Sequence, residues 1–250
     1  MSYRVVIPAR YASTRLPGKP LVEIGGLPMV VRVMQRALES GAAAVVVATD
    51  DKRVVDAVVA ARGDVEMTRP EHPSGSDRVM EVAERRGWRD EDIVVNVQGD
   101  EPLIPPAVID QVARLLASAP DAGAATLSEP IETVADVFDP NIVKVVASQS
   151  GRAIYFSRAP MPWHRDAFVD GPPTALAGDW KRHIGIYAYR VGTLRRFVSL
   201  PQSRIEQIEA LEQLRLLDND IGIVVANAVA PVPGGVDTEA DAARVRAMLA

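Results

Sequence analysis

The stretch from Val5 to Pro20 reads VVIPARYASTRLPGKP. It begins as an apolar strand and continues as a loop of small residues, prolines and three cations. These cations, Arg10, Arg15 and Lys19, have no acidic neighbour in the loop. A positively charged loop at the carboxyl end of a buried strand is where an α/β protein holds a polyphosphate. The loop contains neither G-x-x-x-x-G-K-S/T nor G-x-G-x-x-G, so it predicts a third kind of phosphate-binding loop.

The composition narrows the class of protein. A chain of 250 residues that is 48% hydrophobic favours a single domain spanning residues 1–250. The 28 Lys and Arg against 33 Asp and Glu give a net charge of −5, which disfavours nucleic acid as a partner and favours small molecules. The absence of cysteine excludes disulfides, a thiolate nucleophile and a Cys-ligated zinc. With no signal pattern and no apolar run of about 20 residues, we expect a soluble cytoplasmic protein without a membrane partner.

Apolar segments alternate with segments of helical spacing in the first half of the chain. Strands that are apolar throughout, alternating with helices of this length, indicate a parallel sheet covered by helices on both faces. The predicted strands are 5–7, 44–48, 65–67 and 93–97, and the predicted helices are 28–40, 52–62, 77–86 and 107–116.

The second half is less regular. Between 157 and 181 the chain is rich in Pro, Gly and Asp and shows no period. A long irregular excursion inside a compact domain is usually functional or part of an interface. The predicted strands are 122–127, 142–147, 184–189 and 221–226, and the predicted helices are 206–217 and 238–249.

Asp100 follows the apolar strand at 93–97, where an open α/β sheet binds its ligands. Gly99 lets the backbone approach a neighbour closely. A carboxylate in this place is a natural Mg²⁺ ligand, because Mg²⁺ takes hard oxygen ligands and is shared with substrate phosphates. The alternative is that the carboxylate caps the next helix or lies in a solvated turn. Glu101 is the weaker candidate because Pro102 restricts its backbone.

Asp237 is a second isolated carboxylate after an apolar segment. Its alternative role is to cap the final helix, with Asp241 complementing the helix dipole. Because Thr238 is sufficient as a cap, Asp237 remains available as a ligand.

Two further segments carry polar side chains in suggestive places. The loop from His72 to Arg78 leads into a helix, whose N-terminus offers unpaired N–H groups. Either Ser76 or Asp77 is a plain N-cap there, or the loop clamps a nucleobase or phosphate with Arg78 as a donor.

In the strand that begins near His183, the side chains at 183, 185, 187 and 189 share one face. That face lines a pocket, or else Tyr187 packs in the core. None of the three histidines has the spacing of a zinc site.

Taken together, these segments resemble the cytidylyltransferases that make CMP-Kdo from CTP and 3-deoxy-D-manno-octulosonate (Kdo). The resemblance covers essentially the whole chain in order. Ser76 and Arg182 stand where threonine and lysine are usual, and they keep the hydroxyl and the charge. The similar segments are 6–11, 13–20, 48–50, 72–78, 96–102, 155–158, 183–187, 211–215 and 235–238.

The resemblance implies a Rossmann-like nucleotidyltransferase fold with a mostly parallel mixed sheet, Mg²⁺ as cofactor, and a homodimer. Residues 153–183 would form an insertion that contributes to the dimer interface and the sugar pocket. The anomeric hydroxyl of Kdo would attack the α-phosphorus of CTP in line, for lipopolysaccharide biosynthesis, and pyrophosphate would leave. Such transfer needs charge neutralisation and positioning more than a covalent nucleophile.

The resemblance also assigns roles by position, and it leaves Arg15 without one. The implied catalytic residues are Arg10, Lys19, Asp100 and Asp237, of which Asp100 and Asp237 would hold Mg²⁺. The residues implied for the nucleotide are Pro8, Ala9, Arg10, Ser13, Lys19, Ser76, Arg78 and Asp100. Those implied for the sugar acid are Gln98, Arg158, Arg165, His183, Tyr187, Glu212 and Gln213.

Three rival functions stay open at this stage. The nearest is a CMP-sialic acid synthetase or another sugar nucleotidyltransferase of the same fold. A metal-dependent glycosyltransferase also places a carboxylate after a strand, but the cationic loop favours a triphosphate. A nucleotide-sensing module has no need of two carboxylates suited to a metal.

Overall fold

A nine-stranded mixed sheet forms the centre of the structure, a computed structural model that describes residues 1–249. A separate two-stranded hairpin lies beside it. The strands are β1 (Tyr3–Pro8), β2 (Glu23–Ile24), β3 (Leu27–Pro28), β4 (Ala44–Thr49), β5 (Asp64–Met67), β6 (Ile93–Asn96), β7 (Ala124–Ile131), β8 (Lys144–Ala147), β9 (Ala153–Ser157), β10 (Trp180–Arg190) and β11 (Ile223–Asn227).

Nine α-helices lie within residues 1–249, and a short 3₁₀ helix, Lys19–Leu21, ends the cationic loop. The helices are α1 (Met29–Leu38), α2 (Lys52–Ala60), α3 (Gly75–Arg85), α4 (Pro106–Ala117), α5 (Val134–Phe138), α6 (Val191–Ser199), α7 (Arg204–Glu209), α8 (Leu214–Asp218) and α9 (Glu239–Leu249).

Seven strands of the main sheet follow the order β11-β7-β10-β6-β1-β4-β5, and β8 pairs with both β10 and β9. Strands β6, β1, β4 and β5 are mutually parallel, whereas β10 runs antiparallel to both β6 and β7. The predicted mixed, mostly parallel α/β fold is therefore confirmed. Pro8 lies opposite Ala48, and Val6 lies opposite Asn96, so β1, β4 and β6 end along the same edge.

The central strands are apolar on both sides because both faces of the sheet are covered. Val5 and Ile7 belong to the core that α1 and α4 close, whereas Val6 belongs to the core on the opposite face, with α3 and α6. Each of these three side chains is completely buried. The unbroken apolar pattern thus places the carboxyl end of β1 between two helical layers.

The helix predicted for 206–217 is wrong as a single element. Ser203 caps α7 in a reciprocal hydrogen-bonded pair with Glu206, and α7 ends where Ala210 adopts a left-handed backbone with φ of 50°. The chain resumes as α8 after Gln213. No glycine or proline marks this break, so the amphipathic pattern continues through it. The break leaves Glu212 and Gln213 outside helical structure.

The region from 158 to 179 contains no helix or strand, as its composition suggested. It is organised around Phe168, whose ring stacks on Trp180 at 5.4 Å and contacts Phe138 at 5.0 Å. Strand β10 begins at Trp180, earlier than the predicted start at 184, and Trp180 Nε1 donates to Pro162 O at 2.9 Å. The excursion is thus a packed structure, while its predicted roles in a dimer and a sugar pocket stay predictions.

Within residues 1–249, no helix is both long enough and apolar enough to cross a lipid bilayer.

Candidate active site

A cavity of about 460 Å³ opens at the carboxyl edge of β1 and β6, where α/β sheets bind their ligands. Its walls come from the loop after β1, the loop before α3, the segment after β6, Glu212 and Asp237. Gly99 is required here because a Cβ on it would lie 2.7 Å from the carbonyl oxygen of Pro8. The close contact joins the segment after β6 to the end of β1.

The cationic loop is folded by its own hydrogen bonds. Ser13 Oγ accepts from Leu16 N at 3.3 Å, and the side chain of Tyr11 packs beneath Gly18, which has a left-handed backbone with φ of 67°. Arg10 is exposed at the cavity wall and has no hydrogen bond or ion pair with another side chain among residues 1–249. The loop therefore presents a free guanidinium to whatever occupies the cavity.

Lys19 lies between the two candidate carboxylates. Its Nζ is 2.5 Å from Asp100 Oδ2 and 2.8 Å from Asp237 Oδ1, and Arg15 is 3.0 Å from Asp237 Oδ1. Burial lowers the pKa of Lys19, but the charges and hydrogen bonds of both carboxylates outweigh it and raise that pKa overall. The ammonium group is therefore fully charged at neutral pH. Arg15, which had no predicted role, belongs to this cluster.

The backbone brings the two carboxylates together. Val236 N donates to Asp100 O at 2.8 Å, which ties the segment before α9 to the segment after β6. Neither aspartate caps a helix: Thr238 Oγ1 accepts from Asp241 N in the first turn of α9, and α4 begins after Pro105. The capping alternatives are thus wrong for both residues.

Glu101 does not line the cavity. Burial, followed by the charge of Asp100, raises the pKa of Glu101 to about 8, and its Oε2 has no hydrogen-bond partner among the described residues. The preference for Asp100 over Glu101 therefore agrees with the geometry of the cavity.

The start of α3 forms the opposite wall. Ser74 caps the helix by accepting from Asp77 N, so the expectation that Ser76 or Asp77 is the cap is wrong. Ser76 is buried behind the wall, whereas Arg78 reaches the cavity with its guanidinium held by Asp50 Oδ2 at 2.9 Å and by Thr68 Oγ1. Arg78 is thus available to a ligand in one fixed orientation.

The residues implied for the sugar acid divide into three groups. Gln98 and Glu212 line the cavity, and burial raises the pKa of Glu212. Tyr187 and Gln213 are buried outside the lining, and the Tyr187 hydroxyl and Gln213 Nε2 have no hydrogen-bond partner among residues 1–249. Asn96, the cross-strand neighbour of Tyr187, also has a buried unpaired oxygen.

His183 packs between aromatic rings outside the lining. Its ring centroid is 5.0 Å from that of Phe156 and 5.3 Å from that of Tyr187, and Nε2 is 3.1 Å from Thr126 Oγ1. Burial lowers the pKa of His183 to about 3, so the imidazole is neutral at physiological pH.

Arg158 and Arg165 form the third group and do not reach the cavity. Arg158 donates to Glu209 O at 2.7 Å and to Pro140 O at 3.0 Å, so it holds the end of α7. The side chain of Arg165 is 95% exposed, and its nearest anionic partner is the adjacent Asp166. Sugar binding by these two residues remains a prediction.

Three residues that shape the walls have no role predicted from the sequence. They are Asp50 and Thr68, which hold Arg78, and Asn96. Asp50 carries a recognisable signal, because it follows an apolar strand just as Asp100 does. Thr68 and Asn96 show no such signal, because Thr68 meets Arg78 from another element and Asn96 is buried at the end of β6.

Comparisons with known proteins identify the family. The cytidylyltransferase family model matches residues 4–223. The 3-deoxy-manno-octulosonate cytidylyltransferase of Alcanivorax borkumensis is 57% identical over 249 residues, covering 100% of this chain and 99% of the relative. The chain belongs to the 3-deoxy-manno-octulosonate cytidylyltransferase family. The enzyme of the same name from Cellvibrio japonicus is 58% identical over 251 residues, covering 100% of this chain and 98% of the relative. The resemblance stated from the sequence is confirmed.

A solved structure agrees with this assignment, and a more distant one shows the same fold. A CMP:2-keto-3-deoxy-manno-octonic acid synthetase complexed with CTP matches with a TM-score of 0.90 and 43% identity, covering 99% of this chain and 98% of that one. A cytidylyltransferase from Leptospira borgpetersenii, at 15% identity and a TM-score of 0.60 over 98% of this chain and 84% of that one, shares the fold.

Proposed function

We propose that this member of the family transfers CMP from CTP to Kdo and releases pyrophosphate. The observation that carries the proposal is the pairing of Asp100 and Asp237 around a cation, beside the cationic loop and within one cavity. Phosphoryl transfer of this kind requires positioned charge rather than a covalent nucleophile, and the cavity supplies charge of both signs.

The donor set suits Mg²⁺. Two carboxylates that converge on an ammonium group are arranged to hold a cation, and their hard oxygens are the ligands that Mg²⁺ prefers. Asp100 and Asp237 would hold the ion, with substrate phosphate and water completing its shell. When bound, the ion polarises the α-phosphate and neutralises charge on it. Asp100 and Asp237 would thus define the reaction centre.

The cationic loop would hold the triphosphate. Arg10 has no competing side-chain partner, and Lys19 lies at the boundary between the loop and the carboxylates. In this proposal, Lys19 stabilises the negative charge that develops on the departing pyrophosphate, which carries the β- and γ-phosphates. Ser13 fixes the loop through Leu16 N, so that these cations are positioned before the substrate arrives.

The sugar acid would bind beyond Gln98 and Glu212, on the side of β10. Buried polar atoms are normally hydrogen-bonded, so the unpaired Tyr187 hydroxyl and Gln213 Nε2 support a polar ligand there. Gln98 Nε2 is 3.5 Å from Gly185 O, so the segment after β6 lies next to β10 at this point. In this place the anomeric hydroxyl of the sugar acid would approach the α-phosphorus from the side opposite the pyrophosphate.

The chain also has apolar surface that supports a homodimer. Ile154, Trp163 and Val169 lie in the 153–183 region and are 60%, 57% and 71% exposed, respectively. Ile208 on α7 is 73% exposed. A contiguous patch of exposed apolar residues marks an association surface, and we propose that these four residues belong to one. Trp163→Glu should yield monomers in analytical ultracentrifugation, and an unchanged mass would contradict this interface.

One assay tests the proposed reaction. Pyrophosphate release is measured with CTP and Mg²⁺, with Kdo, with N-acetylneuraminate, and with neither sugar acid. We expect release that depends on Kdo. Release with N-acetylneuraminate alone would assign the chain to sialic acid activation, and no sugar-dependent release would refute the proposal.

A further inference from the structure

The end of β4 contacts both walls of the cavity. Ala48 O accepts from Ala9 N at 2.8 Å, on the side of the cationic loop. Thr49 O accepts from Thr68 N at 2.7 Å, on the side of α3. Asp50 follows directly, so its side chain lies between the cationic loop and the wall that carries Arg78.

Asp50 uses its two carboxylate oxygens on different walls. Oδ1 accepts from the backbone N–H of Tyr11 at 3.3 Å, immediately after Arg10 in the cationic loop. Oδ2 accepts from Arg78 Nη2 at 2.9 Å. The side chains of Asp50 and Arg78 are 14% and 4% exposed, so their ion pair is largely shielded from water.

Asp50 itself does not line the cavity, whereas Arg78 does. A guanidinium is planar, and its N–H donors point in fixed directions. Hydrogen bonds from both terminal nitrogens therefore fix the directions of the remaining N–H groups. With Nη2 on Asp50 and Nη1 on Thr68, the orientation of Arg78 is set by groups outside the cavity.

We propose that Asp50 is a positioning residue that couples nucleobase selection to the phosphate loop. It holds Arg78, the residue that the resemblance implies for the cytidine, in one orientation, and it anchors the cationic loop through Tyr11. This inference rests on the proposed function in taking CTP as the nucleotide. It concerns how the base is selected, and it is tested by nucleotide binding without the sugar.

The chemistry of the base explains why orientation matters. A guanidinium can only donate hydrogen bonds. The Watson–Crick edge of cytosine offers two acceptors, N3 and O2, whereas uracil carries an N–H donor at position 3. A donor held rigidly toward that edge therefore favours cytosine and opposes uracil, and a donor that can turn away loses this discrimination.

Asp50→Asn tests the ion pair with Arg78, because an Asn oxygen can still accept the hydrogen bond from Tyr11 N. We expect the dissociation constant for CTP to rise about tenfold and the preference for CTP over UTP to fall about tenfold. Asp50→Ala removes both the ion pair with Arg78 and the hydrogen bond from Tyr11 N. It should lower kcat as well, since the loop that carries Arg10 is then no longer held by Asp50. Asp64→Asn is the matched control: it breaks an Asp–Arg pair with Arg86 that lies outside the cavity.

A double-mutant cycle with Arg78→Met decides whether Asp50 acts through Arg78. If it does, adding Asp50→Asn to Arg78→Met changes neither the CTP affinity nor the CTP/UTP ratio further. Additive losses, or an Asp50→Asn variant with the wild-type CTP/UTP ratio, would overturn the inference. If Asp50→Asn alone fails to fold, because it leaves Arg78 buried and unpaired, the double variant is compared with Arg78→Met by the same criterion.

The positioning role of Asp50 and the proposed reaction with Kdo can be refuted independently of each other. Dissociation constants for CTP and UTP are measured by calorimetry without Kdo, so they report on Asp50 whether or not the sugar is turned over. A wild-type protein that binds CTP selectively but releases no pyrophosphate with Kdo would refute the proposed reaction and leave the positioning role intact.

Discussion

The ammonium group of Lys19 lies 2.5 Å from Oδ2 of Asp100, although the two residues are 81 positions apart. The same nitrogen contacts Asp237, so one cation is shared by two carboxylates that come from different loops. This arrangement offsets one of the two negative charges before any ligand binds, and it gives Asp100 and Lys19 distinct consequences when they are changed.

Asp100→Asn should reduce turnover about 100-fold or more while the protein stays folded, because the variant keeps the size of the side chain and loses a charged ligand. Turnover is followed by pyrophosphate release, and Mn²⁺ binding is measured by calorimetry on the same sample. Glu239→Gln, an exposed carboxylate on α9, is the control. Near-normal activity with Mg²⁺ would refute the metal assignment.

Lys19→Met should lower kcat about 100-fold and change the KM for CTP by less than about fivefold, since its charge matters most when pyrophosphate departs. Steady-state kinetics separate the two effects. Lys52→Met, which removes an exposed lysine paired with Asp56, should leave both constants unchanged. A pure loss of CTP affinity with wild-type kcat would argue against a transition-state role for Lys19.

Arg215→Met should lower the free energy of unfolding by about 3–5 kcal/mol, because it leaves the buried carboxylate of Glu206 without its partner. Urea unfolding measures the change. Adding Glu206→Gln to the same chain should recover part of the loss, since no buried charge then remains. Arg86→Met, which breaks surface pairs, should cost about 0–1 kcal/mol. Equal losses in the two single variants would contradict this account.

The imidazole of His183 should stay neutral far below its usual pKa. The pKa of His183 is about 3 in the folded protein against 6.5 unfolded, so only the unfolded chain takes up this proton between those values. The free energy of unfolding therefore falls by up to about 1.4 kcal/mol per pH unit as the pH drops below 6.5, and this contribution is fully present above it. NMR of the ring nitrogens, assigned with His183→Gln, checks the titration. A midpoint near 6.5 would refute the burial of this ring.

The sequence was sufficient for the central fold because fully buried strands are apolar throughout. Val5, Val6 and Ile7 are buried although they face opposite sides of the sheet, so β1 was identified from its continuous apolar run, without an alternation of apolar and polar residues. The break at Ala210, where the backbone is left-handed, was missed because the contacts around it come from outside the segment, among them Arg158 on the carbonyl of Glu209.

The candidate site was predictable where a residue's place along the chain indicates its surroundings. Asp100 and Asp237 follow apolar segments, and the cavity brings both to its wall. The orientation of Arg78 was not predictable, because Asp50 and Thr68 hold it from two other strand ends. Hydrogen bonds between distant segments leave no periodic trace in a sequence.

The contact between Val236 and Asp100 bears on the order in which the sheet folds and the two carboxylates come together during synthesis. The sheet has all its strands once the chain has reached Asn227, yet the second carboxylate arrives only with Asp237. A chain emerging from the ribosome can therefore fold its sheet and its cationic loop before the reaction centre exists. Catalytic competence follows the folding of the core, and the appearance of activity during synthesis reports the docking of the last helix.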